Sequence, residues 1–141
     1  MFRVRDVMTE NPVCVSPDAS LREALDLMKR GKFRRLPVVE QGRMVGIISD
    51  RDLRLAMNTP VVVHERERDE FVLDSVKVGS CMTAEVYALE PDDSLEKAAC
   101  LMRDKKVGGC PVLEGERLVG ILTESDLLEY LIRSLREGHL L

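Results

Sequence analysis

Tryptophan is absent from the 141 residues, tyrosine occurs twice and phenylalanine three times, and the formal net charge is -4. Nucleic-acid binding normally leaves a basic footprint, so an acidic chain poor in rings disfavours that class of partner. Histidine occurs only as His64 and His139, and the four cysteines, Cys14, Cys81, Cys100 and Cys110, form no C-x-x-C pair and have no companion histidines at ligand spacing. Zinc and redox chemistry therefore fall away, and the thiols read as buried, reduced small hydrophobes. No apolar run approaches the ~20 residues of a membrane span. Charge at Arg3, Arg5 and Asp6 stands where a signal peptide keeps its apolar stretch, which points to the cytoplasm.

What is present is the balance of a globular unit, 45% hydrophobic and 33% charged. A chain of this length buries roughly two-thirds of the surface exposed by its unfolded form, enough for one domain or two small halves sharing a core.

A repeat organises it. At an offset of 74, Val4 to Leu53 falls without gaps on Val78 to Leu127, matching Met8-Thr9 with Met82-Thr83, Pro17-Asp18 with Pro91-Asp92, Leu27-Met28 with Leu101-Met102, Pro37-Val38 with Pro111-Val112 and Val45-Gly46-Ile47 with Val119-Gly120-Ile121. The chain reads as one repeat over residues 1–57, a linker over 58–74 and a second repeat over 75–141. The linker's alternating run, His64 to Glu70, has the pattern of a solvated helix face or loop.

Each repeat carries the same elements. Ser20-Leu21-Arg22-Glu23 has the form of a capping box, and Leu21, Ala24, Leu25 and Met28 follow at helical spacing, with Gly31 where the helix should stop. Leu36 to Val39 and Met44 to Ile48 flank Gln41-Gly42 as a strand pair, and a second helix should begin near Ser49 or Asp50. In the second repeat the spacing predicts a helix from Ser94 to Arg103, strands at Cys110 to Leu113 and Leu118 to Leu122, and a longer helix from Glu124 to Arg136. This is an α+β architecture of two small sheets, each two- or three-stranded with two packed helices. Neither half covers its apolar surface alone, so the halves should pack about a pseudo-twofold axis.

The pattern with most chemistry occurs twice, as Gly46-Ile47-Ile48-Ser49-Asp50-Arg51-Asp52 and Gly120-Ile121-Leu122-Thr123-Glu124-Ser125-Asp126. Hydroxyl-x-x-aspartate at a strand-to-helix junction caps the helix and complements its dipole. The same geometry lets a carboxylate accept both hydroxyls of a ribose beside open amides that suit a phosphate. The two roles do not exclude each other.

These motifs, together with Val7-Met8-Thr9, Cys81-Met82-Thr83, Phe33 to Val39 and Val107 to Val112, resemble a tandem pair of CBS domains, the cystathionine-β-synthase-type regulatory repeat. The resemblance spans nearly the whole chain. It implies a module without catalysis of its own that binds AMP, ADP, ATP or S-adenosylmethionine as a regulatory ligand in clefts between the repeats, with the need for magnesium left open. By position it assigns ribose binding to Asp52 and Asp126, aided by Ser49 and Thr123. Adenine enclosure falls to Asn11, Pro12, Val13 and Leu36 with Pro37 in one repeat, and to Glu85, Val86, Gly109, Cys110 and Pro111 in the other. Phosphate contacts fall to Arg34 and Arg35, where the second repeat has Gly108-Gly109, with Arg51 a further candidate. Asp126, Thr123, Arg34 and Arg35 are the expected main site. Residues 1–57 hold 11 Lys and Arg against 8 Asp and Glu, and residues 58–141 hold 10 against 17, so an anion would favour the first repeat.

The resemblance also implies a homodimer that signals through its surface or a partner protein. The rival reading is an assembly module without a ligand. Catalysis is disfavoured because neither histidine stands near a nucleophile or base at a recognisable spacing.

Overall fold

The computed structural model describes residues 2–57, 66–84 and 86–138. In chain order its elements are α1 (Val4–Val7), β1 (Thr9–Glu10), α2 (Leu21–Gly31), β2 (Arg35–Glu40), β3 (Arg43–Ser49), α3 (Asp50–Met57), α4 (Arg66–Ser75), α5 (Val78–Cys81), α6 (Leu95–Lys105), β4 (Gly109–Glu114), β5 (Arg117–Thr123) and α7 (Glu124–Glu137). They form two compact units, Val13–Val86 and Met1–Pro12 with Tyr87–Leu141.

In the unit Val13–Val86, α2 starts because Ser20 Oγ accepts the Glu23 amide at 3.2 Å, and it buries Leu21, Ala24 and Met28 at the predicted spacing. Gly31 is its last helical residue rather than its stop. The left-handed position is Lys32, at φ 57°, and a Cβ on Gly31 would lie 2.0 Å from Phe33 Cε2, so this glycine makes room for the Phe33 ring. Strands β2 and β3 pair antiparallel from Arg35 opposite Ser49 to Glu40 opposite Arg43. Gln41 and Gly42 both take positive φ, the two-residue turn whose twist suits a hairpin.

The expected linker is in part a core element. Residues 66–75 form α4, whose Leu73 joins Leu21, Leu36, Val38, Ile48, Leu53 and Val78 in one apolar cluster, while Arg22 donates from Nε and Nη2 to the two oxygens of Asp74. Charges of alternating sign three and four positions apart support a helix, and Val72 and Leu73 supply what this helix buries, whereas Phe71 stays 69% exposed. Residues 58–65, including His64, lie outside the described residues.

In the other unit, β4 and β5 pair antiparallel from Gly109 opposite Thr123 to Glu114 opposite Arg117, and Ser94 caps α6 through the Lys97 amide at 3.0 Å. Its core is Val4, Leu89, Ala98, Met102, Cys110, Val112 and Leu122.

The compact units are not cut where the sequence repeats are cut. The leading segment of the first repeat lies in the unit of the second: Val4 N donates to Asp93 O at 2.9 Å, Arg5 N to Pro91 O at 3.0 Å, and Thr9 pairs with Ile121 on β5. The leading segment of the second repeat does the same in the unit of the first: Val78 N donates to Ala19 O at 2.8 Å, Gly79 N to Pro17 O at 2.9 Å, and Thr83 and Ile47 exchange two backbone bonds. Glycine permits both approaches. A Cβ on Gly46 would stand 2.8 Å from Thr83 O, and one on Gly120 would stand 3.0 Å from Thr9 O.

The expectation of four buried thiols is corrected. Only Cys110 is buried; Cys81 and Cys100 are half-buried and Cys14 is exposed. Residues 13–15 run beside β2, and only Val15, bridged to Val38, turns into the core, so the alternation of an extended chain sends Cys14 outward. Among the described residues no helix is long and apolar enough to cross a membrane.

Candidate functional site

Each unit builds one hydroxyl–carboxylate pair where its hairpin runs into a helix. At the end of β3, Ser49 N donates to Asp52 Oδ2 at 2.8 Å, Ser49 Oγ donates to the same oxygen at 3.0 Å, and Asp52 N donates back to Ser49 Oγ at 3.1 Å. At the end of β5, Thr123 N and Oγ1 donate to Asp126 Oδ2 at 2.9 and 3.0 Å, and Asp126 N donates to Thr123 Oγ1 at 3.2 Å. Both are reciprocal caps on the first turns of α3 and α7. They hold a half-buried carboxylate in one rotamer through a single oxygen, leaving Oδ1 directed away from the cap.

The two Oδ1 atoms differ. Asp126 Oδ1 accepts from Thr9 Oγ1 at 3.4 Å, across 117 residues of chain. Sequence reasoning missed Thr9 as a site residue, although the Met-Thr pair recurring at the repeat offset was the available signal. Its position could not be read from spacing, because it follows from the leading segment's place beside β5.

The cationic candidates stand in the unit Val13–Val86. Arg35 lies opposite Ser49 in the strand register, Asp50 N donates to Arg34 O at 2.8 Å, and the Arg34 and Arg51 side chains are exposed. The same unit holds Val13, exposed, and Val86, half-buried. In the other unit the equivalent strand end is Gly109 opposite Thr123, with Glu124 N donating to Gly108 O at 3.0 Å, and Asn11 is exposed at φ 49°. Glu85 lies outside the described residues.

Leu36, Pro37, Cys110 and Pro111 are almost completely buried, and Leu36 and Cys110 belong to the apolar clusters. These positions present backbone rather than side chain to anything bound at the surface. Cys81 stands near Asp52: burial first, and then that carboxylate's charge, push its thiol above the ordinary range.

The profile of the CBS domain matches twice, over residues 4–59 and 78–133, which includes both hydroxyl–carboxylate motifs. The chain belongs to the CBS domain family. Among its relatives, a CBS domain-containing protein of Dictyostelium discoideum is 39% identical over 134 residues, covering 94% of this chain and 92% of the relative. The crystal structure of the AcuB protein of Vibrio cholerae superposes with a TM-score of 0.82 at 29% identity, covering 96% of this CBS pair and 94% of that chain. That of CBSX2 in complex with AMP gives 0.78 at 27% identity, covering 94% and 98%.

Proposed function

We propose that this CBS pair is a non-catalytic regulatory module that binds an adenosine-containing ligand, AMP, ADP, ATP or S-adenosylmethionine, and relays its presence through a homodimer surface or a partner protein. The observation that carries this reading is the twin carboxylate, Asp52 and Asp126, each locked through Oδ2 by a reciprocal cap at a helix N-terminus, with Oδ1 outside the cap and, in Asp126, also accepting from Thr9 Oγ1. A ribose presents two adjacent hydroxyl donors, and a fixed carboxylate accepts them without losing rotamer freedom on binding. CBSX2, 27% identical over nearly its whole length, has been crystallised with AMP, which supports the same ligand class here.

In this reading Ser49 and Thr123 hold the carboxylates. The strand ends beside them, Leu36-Pro37 and Cys110-Pro111 with Asn11, Val13 and Val86, supply backbone and apolar contact to the base, and Arg34, Arg35 and Arg51 meet phosphates through guanidinium forks. Regulation requires that the ligand bind two arrangements of the protein unequally, since equal affinity shifts nothing.

A thermal-shift panel of AMP, ADP, ATP, S-adenosylmethionine, NADH and GTP, with and without magnesium, tests this. A specific ligand at a hundred times its Kd adds ~2.7 kcal/mol, a rise of several degrees. Asp52→Ala with Asp126→Ala should abolish the shift, and Arg34→Ala with Arg35→Ala should weaken ATP more than adenosine. No shift with any ligand, in protein free of copurified nucleotide, overturns the reading in favour of an assembly module.

A further inference from the structure

Between Phe2 and the last turns of α7 lies a cavity that neither hydroxyl–carboxylate motif uses. Its volume is about 90 Å³, and Phe2, Tyr130, Arg133, Ser134 and Glu137 line it. A water takes up about 30 Å³ of liquid, so the space holds about three waters or a molecule of roughly six heavy atoms. One wall is aromatic, where the Phe2 and Tyr130 rings meet edge-on with centroids 5.2 Å apart. Arg133 stands beyond Asp126 by about 10 Å along the helix axis, so the cavity is separate from the carboxylate cap.

The fold does not use the polar groups on this lining. Ser134 is the buried polar residue among the described residues, at 6% exposure. Its hydroxyl has no hydrogen-bond partner among them, yet no sealed side-chain oxygen or nitrogen there lacks a partner, so the Ser134 oxygen opens onto the cavity. Arg133 likewise forms no ion pair or hydrogen bond among the described residues, whereas Glu137 on the rim has a partner of its own. Water would satisfy the hydroxyl, but it leaves the aromatic wall wet and the guanidinium without a counter-charge. The repeat supplies a comparison within the chain. At the offset of 74, Phe2 and Tyr130 correspond to Val76 and Ala56, which pack with Leu73 of α4 in the apolar cluster of the other unit. That place is closed by aliphatic side chains, so the fold of the repeat does not itself require an opening lined by a hydroxyl and a cation.

We propose that this cavity binds a small monocarboxylate with a short apolar body, of the size of butyrate. The Arg133 guanidinium offers a carboxylate two parallel N–H donors, Ser134 Oγ donates a further hydrogen bond, and the Phe2 and Tyr130 rings take the hydrocarbon end. An amine of the same size meets the like charge of Arg133, and an amide forfeits the ion pair. The inference goes beyond adenosyl binding and does not depend on it.

Nuclear magnetic resonance titration of the full chain with sodium butyrate at constant ionic strength tests it, with butyramide and butylamine as the neutral and cationic counterparts. The backbone amides of Phe2 and of Tyr130 to Glu137 should shift saturably, with a Kd of about 1 mM for a ligand this small. Both counterparts should bind at least about tenfold more weakly. Arg133→Met should weaken butyrate by about tenfold or more, and Ser134→Ala by about threefold to tenfold, with resonances elsewhere in the chain unchanged. Equal affinity for butyramide, shifts that grow linearly without saturating, or a butyrate affinity unaffected by Arg133→Met would each overturn the proposal. Adenosyl binding is read separately by the thermal-shift panel, so the two proposals succeed or fail independently.

Discussion

Gly46→Ala should destabilise the protein by about 2–4 kcal/mol, against the usual direction for a glycine within a strand. Gly46 is buried opposite Val38 in the hairpin, and a Cβ there would lie 2.8 Å from both Met82 Sδ and Thr83 O. The sulfur sits on a flexible side chain and can swing aside. The carbonyl cannot, because it accepts Ile47 N at 3.0 Å while Thr83 N donates to Ile47 O at 2.8 Å. Relief therefore moves the whole Met82-Thr83 segment and stretches both bonds. Overpacking costs about 1–3 kcal/mol, and each weakened backbone bond forfeits up to its net ~0.5–1.5 kcal/mol. Removing the glycine's chain entropy returns only about 0.5–1 kcal/mol. For a chain of this size the net loss lowers Tm by roughly 6–12 °C. Urea unfolding with the slope m held common measures it directly, and Gly42→Ala, at φ 79° with nothing within 4 Å, isolates backbone strain as a control. A Gly46→Ala variant as stable as the wild type would refute the tight closure of the sheet by the Met-Thr segment.

Thr9→Val removes a donor from Asp126 Oδ1 and should reduce discrimination between adenosine and 2′-deoxyadenosine by about threefold in calorimetry; an equal effect from Thr83→Val would argue against a specific role for Thr9. Burial alone would raise the Asp93 carboxyl, but the Glu90 amide and Lys97 hold it below its ordinary value. Its stabilisation is then present above the unfolded pKa of about 3.9 and lost as pH falls through the lower folded value. The stability gap between wild type and Asp93→Asn should therefore be constant near neutrality and close in strong acid, and a gap unchanged at pH 2 would contradict this. Exposed Cys14 should alkylate before Cys81, and Asp52→Asn should speed Cys81 by removing the charge that raises its thiol; mass spectrometry after brief iodoacetamide treatment reads both.

The helix faces and the two hydroxyl–carboxylate caps were legible in the sequence because each depends on residues a few positions apart, the hairpins because a two-residue turn joins adjacent apolar runs, and the repeat because its identities keep one offset of 74. Ser49 and Asp52, or Thr123 and Asp126, specify their cap with no help from distant chain. The apolar spacing of Leu21, Ala24 and Met28 likewise names the face of α2 that must be buried. Periodicity does not name what covers that face. Which segment closes each sheet, that Leu73 of the expected linker enters a core, that Cys14 turns outward and that Thr9 reaches Asp126 were decided by tertiary packing alone. The leading segments lie far along the chain from the hairpins they complete. Their place follows from apolar burial and backbone bonding summed over pieces that no local pattern connects.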